Sequence, residues 1–269
     1  MNEKRLKNIR LFLFDMDGTV YLGNRLFDFT KELLNEIKRQ NKKYLFITNN
    51  SSKSVSSYVK KLAGMGIDAC GDDFVTSSQA TVHYLKSNGL DGRTLYVFGT
   101  GSFIKELEEA GFNVTADTDR AECIVMGFDT ELTFRKLDDV CRMLSTREIP
   151  YIATHPDLVC PTEYGSVPDC GCVIRMIETA TGKTPVTVGK PKPLMIELAM
   201  KKENVSPEQT AVVGDRLYTD IQSGINAGAN TILVLSGETT REMLNGSGVT
   251  PDFVFESGKE ILEILRSGE

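Results

Sequence analysis

The chain has little of what several chemistries require. Only two of its 269 residues are histidine, His83 and His155. Neither is expected in an acid cluster at a strand end, which argues against a histidine-ligated metal or a serine–histidine dyad. There is no basic surplus: the formal charge is −6, so nothing is in excess to displace counterions from a nucleic-acid backbone. No apolar run reaches the length of a membrane span, and the charged start Met1-Asn-Glu-Lys-Arg leads toward a strand rather than a signal-peptide apolar core. Six cysteines (Cys70, Cys123, Cys141, Cys160, Cys170 and Cys172) lack the paired spacing of a zinc knuckle. They are expected as reduced thiols of a cytoplasmic protein. Cys170-Gly-Cys172 is the one close pair, and it falls short of the four ligands a structural zinc takes. What remains, 41% hydrophobic and 25% charged residues, is an ordinary globular composition with length for one large or two moderate domains.

What is present centres on Leu11-Phe12-Leu13-Phe14-Asp15-Met16-Asp17-Gly18-Thr19. A short, unbroken apolar run bounded by polar residues and glycine reads as a strand buried on both faces, as in a parallel sheet. It ends in two acids at i and i+2, which lie on the same face of an extended segment. Two such carboxylates repel and are costly to desolvate unless a cation or a shared proton compensates. A tight Asp-Gly turn on the surface would read the same way from the dipeptide alone.

The pattern recurs along the chain. A helix is expected from about Phe29 to Gln40, with Phe29, Leu33, Leu34 and Ile37 on one face. The strand Lys43 to Ile47 runs into Thr48-Asn49-Asn50-Ser51-Ser52 before a helix from Val55 to Leu62. Those small polar residues can present hydroxyls, amides and N–H groups to an anion, though a plain polar loop looks alike. Strands are expected at 94–98, 123–126 and 151–154, and helices at 80–87, 103–110 and 134–144, with a turn-rich break at Thr181 to Pro185. Gly99-Thr-Gly101 is no dinucleotide fingerprint, because its third glycine is replaced by Ile104. The strand Pro185 to Val188 leads into Gly189-Lys190-Pro191, and Ala211-Val212-Val213 leads into Gly214-Asp215-Arg216-Leu217-Tyr218-Thr219-Asp220. Strands at 231–235 and 253–255 and a helix at 261–265 complete the series. Alternating strands and helices imply a parallel sheet covered on both faces. Its carboxyl edge would gather Asp15, Asp17, Thr48, Asn49, Lys190, Asp215 and Asp220 in one crevice. Carboxylates, a lysine, a hydroxyl and an amide together suit phosphoryl transfer assisted by Mg²⁺.

Asp-Met-Asp-Gly-Thr (15–19), Thr-Asn-Asn (48–50), Gly-Lys-Pro (189–191) and Gly-Asp-Arg-Leu-Tyr-Thr-Asp (214–220) resemble the four motifs of the haloacid dehalogenase-like hydrolases. More narrowly, they resemble the NagD/nitrophenylphosphatase-like subfamily, to which Ala153-Thr-His-Pro-Asp157 is also similar. The resemblance implies an α/β fold: a doubly wound parallel-sheet (Rossmann-like) core at 1–78 and 184–269, with an inserted α/β cap domain at 79–183. It implies Asp15 as the nucleophile forming an aspartyl-phosphate, and Asp17 as general acid/base with its backbone carbonyl on Mg²⁺. Asp15, Asp17 and Asp215 would be the metal ligands. Thr48, Asn49, Asn50 and Lys190 would bind the transferred group, with Gly18, Gly214 and Asp220 in support. The second aspartate, Asp17, places the chain with the phosphatases of the superfamily. The implied activity is Mg²⁺-dependent hydrolysis of small phosphomonoesters (nucleotide, sugar or aryl phosphates). A phosphotransferase or mutase and an inactive phospholigand-binding protein are the alternatives. The partner is a small phosphorylated metabolite, with no nucleic acid and no membrane, in an oligomeric state left open, a homodimer included. In the cap, Glu163, Tyr164, Asp169 and a Cys170-Gly-Cys172 turn lie where a specificity loop would fall, or are surface and packing residues.

Overall fold

The computed structural model describes residues 2–162 and 164–267, so the expectation placed on Glu163 lies outside the described residues. In chain order the strands are β1 (Leu11–Phe14), β2 (Tyr21–Leu22), β3 (Arg25–Leu26), β4 (Lys43–Thr48), β5 (Phe74–Thr76), β6 (Leu95–Phe98), β7 (Cys123–Met126), β8 (Tyr151–Ala153), β9 (Val159–Thr162), β10 (Gly165–Pro168), β11 (Val186–Thr187), β12 (Thr210–Gly214), β13 (Asn230–Val234) and β14 (Phe253–Phe255). The helices are α1 (Asn2–Lys7), α2 (Thr30–Arg39), α3 (Val55–Gly64), α4 (Ser77–Ser87), α5 (Gly101–Glu109), α6 (Phe134–Thr146), α7 (Cys170–Thr181), α8 (Leu194–Glu203), α9 (Gln222–Asn226), α10 (Arg241–Ser247) and α11 (Lys259–Arg266). Two compact units share them: Met1–Thr48, Val59–Val75 and Lys190–Glu269 form unit 1, and Asn49–Tyr58 with Thr76–Gly189 form unit 2.

Unit 1 is built on a sheet of strand order β14-β13-β12-β1-β4-β5. The apolar runs found in the sequence explain its centre. β1 pairs in parallel with β12 on one side (Leu13 with Val212) and β4 on the other (Leu13 with Leu45), and all four of its residues are buried. Strands covered on both faces carry no polar alternation, which is why β1 and β12 read as unbroken hydrophobic stretches. α2 packs against α11, while α8 lies on β1 and β4. The charged N-terminal residues form a helix, α1, and the chain then leads into β1, as expected.

Unit 2 has its own parallel sheet, of order β11-β8-β7-β6. Its core joins Phe98, Ile124, Met126 and Tyr151 from the strands to Val140, Met143, Ile174 and Ile177 from α6 and α7. Thr100 and Thr133 cap α5 and α6 by accepting hydrogen bonds from Phe103 and Lys136 N–H groups, the N-cap chemistry that fixes helix starts. One sequence expectation fails here. Cys170-Gly-Cys172 is no turn: it is the first turn of α7, capped by Asp169, and all six cysteines are free thiols. Gly171 is required there because a Cβ would overlap the Pro156 carbonyl, a close approach that only glycine permits. The antiparallel hairpin β9–β10 also went unread, since its exposed residues show no alternating apolar signal.

Candidate active site

In unit 1 the chain leaves β1 at Asp15, whose N–H donates to Val213 O at 2.8 Å. That bond carries the parallel ladder one residue beyond the strand and fixes the start of the acidic segment. The Asp15 side chain is 15% exposed and accepts a hydrogen bond from Lys190 Nζ at 2.5 Å on Oδ1. The same ammonium donates to Asp220 Oδ1 at 2.5 Å, and both lysine and Asp220 are buried. Lys190 reaches this place by a different route from the one its sequence suggests. The strand before it, β11, pairs with β8 in unit 2 and not with the core sheet. The lysine is therefore the first residue of the returning segment of unit 1, ahead of α8.

Asp215 follows β12 directly. Its Oδ2 accepts the Glu238 N–H at 2.7 Å, and its buried Oδ1 has no hydrogen-bond partner. Asp220 comes from a wide helical turn, Leu217–Ile221, in which Ile221 N–H reaches back five residues to Arg216 O at 3.1 Å. Such π-type turns recur at functional sites because they displace one side chain from the regular helical position. Here the turn brings Asp220 so close to β12 that any Cβ at Gly214 would overlap it. Asp220 Oδ2 accepts the Arg216 N–H at 3.1 Å. Gly18, at φ +89°, and Gly237 both lie against the Asp215 carboxylate with no room for a Cβ.

Oxygens of Asp15, Asp215 and Asp220 lie within 4.8 Å of one another, a density of charge that shifts titration. Burial pushes the Asp15 carboxyl well above the carboxylate range, Asp220 and Asp215 add to the rise, and Lys190 opposes it. Burial and the neighbouring Asp220 lift Asp215 to about 7. Burial alone would lower the Lys190 pKa, but Asp15 and Asp220 outweigh it and raise it. The lysine stays cationic, yet one ammonium faces three carboxylates. A divalent cation fits what is left over. The donors are all oxygen, as Mg²⁺ prefers, and the Asp215 carboxylate in the cluster has a buried Oδ1 without a hydrogen-bond partner.

The remaining expected residues are placed as follows. The Asp17 carboxylate stands outside that cluster and accepts the Gly23 N–H at 3.3 Å, in the hairpin β2–β3. Thr48 ends β4 and is buried. Asn49 and Asn50 belong to unit 2. The Asn49 amide donates to Asp157 Oδ1 at 2.9 Å, and Asn50 Oδ1 accepts from Ser52 N–H and Oγ. The segment Ser236-Gly237-Glu238 was missed, although it repeats the strand-then-glycine pattern at the end of β13. Ser236 Oγ donates to Gly18 O at 2.7 Å, and Glu238 pairs with Arg216 at 2.9 Å. His155 was expected away from any strand-end acids, yet it follows β8 and lies buried between Asp157 and Asp169. The expectation failed because Asp169 is distant in sequence and arrives only as the cap of α7.

Comparison with known proteins points to one family. A family model for haloacid dehalogenase-like hydrolases matches residues 12–113, and a HAD-hydrolase-like model matches residues 187–261. An acid sugar phosphatase of Staphylococcus saprophyticus is 33% identical over 261 residues, 97% of this chain and 99% of that protein. The structure of a 4-nitrophenylphosphatase from Thermotoga maritima superposes with a TM-score of 0.91 at 41% identity, covering 96% of this chain and 98% of the other. NagD from E. coli K-12 gives 0.84 at 30% identity, with 95% and 98% covered. On sequence and fold alike, the chain belongs to the haloacid dehalogenase-like hydrolases, in the NagD/nitrophenylphosphatase-like group of phosphoric monoester hydrolases.

Proposed function

We propose that the chain is a Mg²⁺-dependent phosphatase of small phosphomonoesters, sugar, nucleotide or aryl phosphates among them. The observation that carries this reading is Lys190, which bridges Asp15 and Asp220 in the same acid cluster as Asp215, whose buried Oδ1 has no hydrogen-bond partner. Asp15 attacks phosphorus, and the leaving oxygen departs with a proton from Asp17. The resulting aspartyl-phosphate is cleaved by water that Asp17 deprotonates. Lys190 holds the nucleophile in place and, with Thr48 and Asn49, binds the transferred group; Asn50 shapes the turn that follows. Asp15, Asp215 and the Asp17 carbonyl would hold the cation, with Asp220 steadying Lys190. When bound, the cation supplies positive charge against the phosphoryl oxygens. Unit 2, close to the 79–183 segment expected as a cap, is assigned the leaving-group contacts that set selectivity. Two relatives carry sugar phosphate and nitrophenyl phosphate activities in their names, which supports small monoesters as the substrate class.

The test is phosphate release from a panel of sugar, nucleotide and aryl phosphates, with Mg²⁺ and with chelator. Release that chelator abolishes is the expected result, and the order of kcat/KM ranks the substrates. Undiminished release in chelator would exclude the cation-dependent reading.

A further inference from the structure

Unit 2 holds a second group of buried ionisable side chains that the hydrolysis does not use. His155, fully buried, sits two residues beyond the end of β8; Asp157 follows in the same loop, and Asp169 caps α7. The imidazole lies beside the two acids: Nδ1 accepts the Asp157 N–H at 3.4 Å and is 3.8 Å from Asp157 Oδ2, and Nε2 is 3.7 Å from Asp169 Oδ1. Both carboxylate separations are too long for hydrogen bonds, and His155 Nε2 has no hydrogen-bond partner. Nitrogen and oxygen donors from the three residues lie within 4.8 Å of one another.

A buried imidazole nitrogen without a partner, beside two buried carboxylates, is a costly arrangement unless something occupies the space between them. The spacing indicates what. Ligands about 2.0–2.1 Å from a tetrahedral metal stand about 3.4 Å apart, slightly closer than the 3.7 Å between Nε2 and Asp169 Oδ1. Charge agrees, because one dication cancels two carboxylates around a neutral imidazole. We propose that His155, Asp157 and Asp169 form a second divalent-metal site, selective for a borderline first-row cation such as Zn²⁺. The imidazole sets this preference, in contrast to the all-oxygen group of unit 1.

The ligands flank the β9–β10 hairpin, so the ion ties together the two ends of that exposed excursion. Asp157 also holds the Asn49 amide through Oδ1, which makes it a positioning residue for Asn49. The role is structural: no substrate need touch the ion.

Cobalt(II) provides a visible readout. It is titrated into the full chain carrying Asp215→Asn, which disables the all-oxygen group of unit 1. Ligand-field bands that saturate at one equivalent, are bleached by Zn²⁺ and are lost in Asp169→Asn are expected. Absence of bands, or bands unchanged by Asp169→Asn, overturns the site and leaves a trapped water as the partner of Nε2. Because His155 is fully buried, its own substitution can simply unfold the chain, so a measurement without variants accompanies it. The chain has only two histidines. With isotope-labelled histidine, Zn²⁺ should shift the resonances of one imidazole and leave the other; no shift, or equal shifts of both, contradicts the proposal.

Discussion

The two buried groups solve one electrostatic problem by different means. In unit 1, Asp15 and Asp220 share an internal cation, Lys190, with Asp215 close by, and Asp15 keeps some contact with solvent. In unit 2, Asp157 and Asp169 are set around an imidazole that is entirely enclosed. The first arrangement suits the proposed turnover: Asp15, the proposed nucleophile, is held by an ammonium and keeps some contact with solvent. The second suits permanence, since a group enclosed on all sides has no route for substrate. Both lie at the carboxyl ends of parallel strands, where open α/β sheets place ligands, so topology alone does not distinguish them. Donor chemistry and exposure do.

Substitutions sharpen that contrast. Asp15→Asn should lower kcat on the order of 10⁴-fold or more, because it would remove the proposed nucleophile; steady-state phosphate release checks this, with circular dichroism confirming the fold. Asp17→Asn should cost roughly 10²–10⁴-fold in kcat through lost proton transfer. A silent Asp17→Asn would contradict the roles given to the two acids. Lys190→Met leaves Asp15 and Asp220 without their cation and should destabilise the protein by about 3–5 kcal/mol in urea unfolding. Asp169→Asn, by contrast, should leave the kcat of the Mg²⁺-loaded enzyme within a few-fold, if the unit 2 group is structural.

Under the proposed function, protons and a cation would compete for the unit 1 acids. Asp215, at about 7 through burial and Asp220, stands above its unfolded-state value, so the cation-free folded state holds a proton that the unfolded chain has released. Between the ordinary carboxylate range and about 7, cation-free stability should therefore fall as pH rises. Bound Mg²⁺ requires the ionised form, so its affinity should fall by up to about tenfold per pH unit below 7. Calorimetric titration at pH 6 and pH 8 measures this directly. The smallest effect concerns thiols: burial raises the Cys170 pKa well above its ordinary value, so alkylation should modify exposed Cys70 and spare Cys170, as peptide mapping would show.

Much of unit 1 was legible because its signals are local. β1 and β12 are unbroken apolar runs that end in acids, and those runs are what parallel pairing on both sides demands. Asp15, Asp215 and Asp220 could be named because each follows a strand end within a few residues. The route of Lys190 was less legible, since a two-residue strand carries no record of which sheet it joins. Unit 2 hid its chemistry for a similar reason. His155 and Asp157 are neighbours in sequence, but Asp169 reaches them only after a polar hairpin, and periodicity does not report that return. Gly171 is an isolated glycine whose need appears only once the Pro156 carbonyl lies against it.

The most direct test of the account is to quench a single turnover in acid and map phosphorylation by mass spectrometry. The account predicts a phosphoryl group on the peptide carrying Asp15, formed with Mg²⁺ and absent in Asp15→Asn. Rapid phosphate release with Asp15 never modified, and turnover that survives Asp15→Asn, would contradict it.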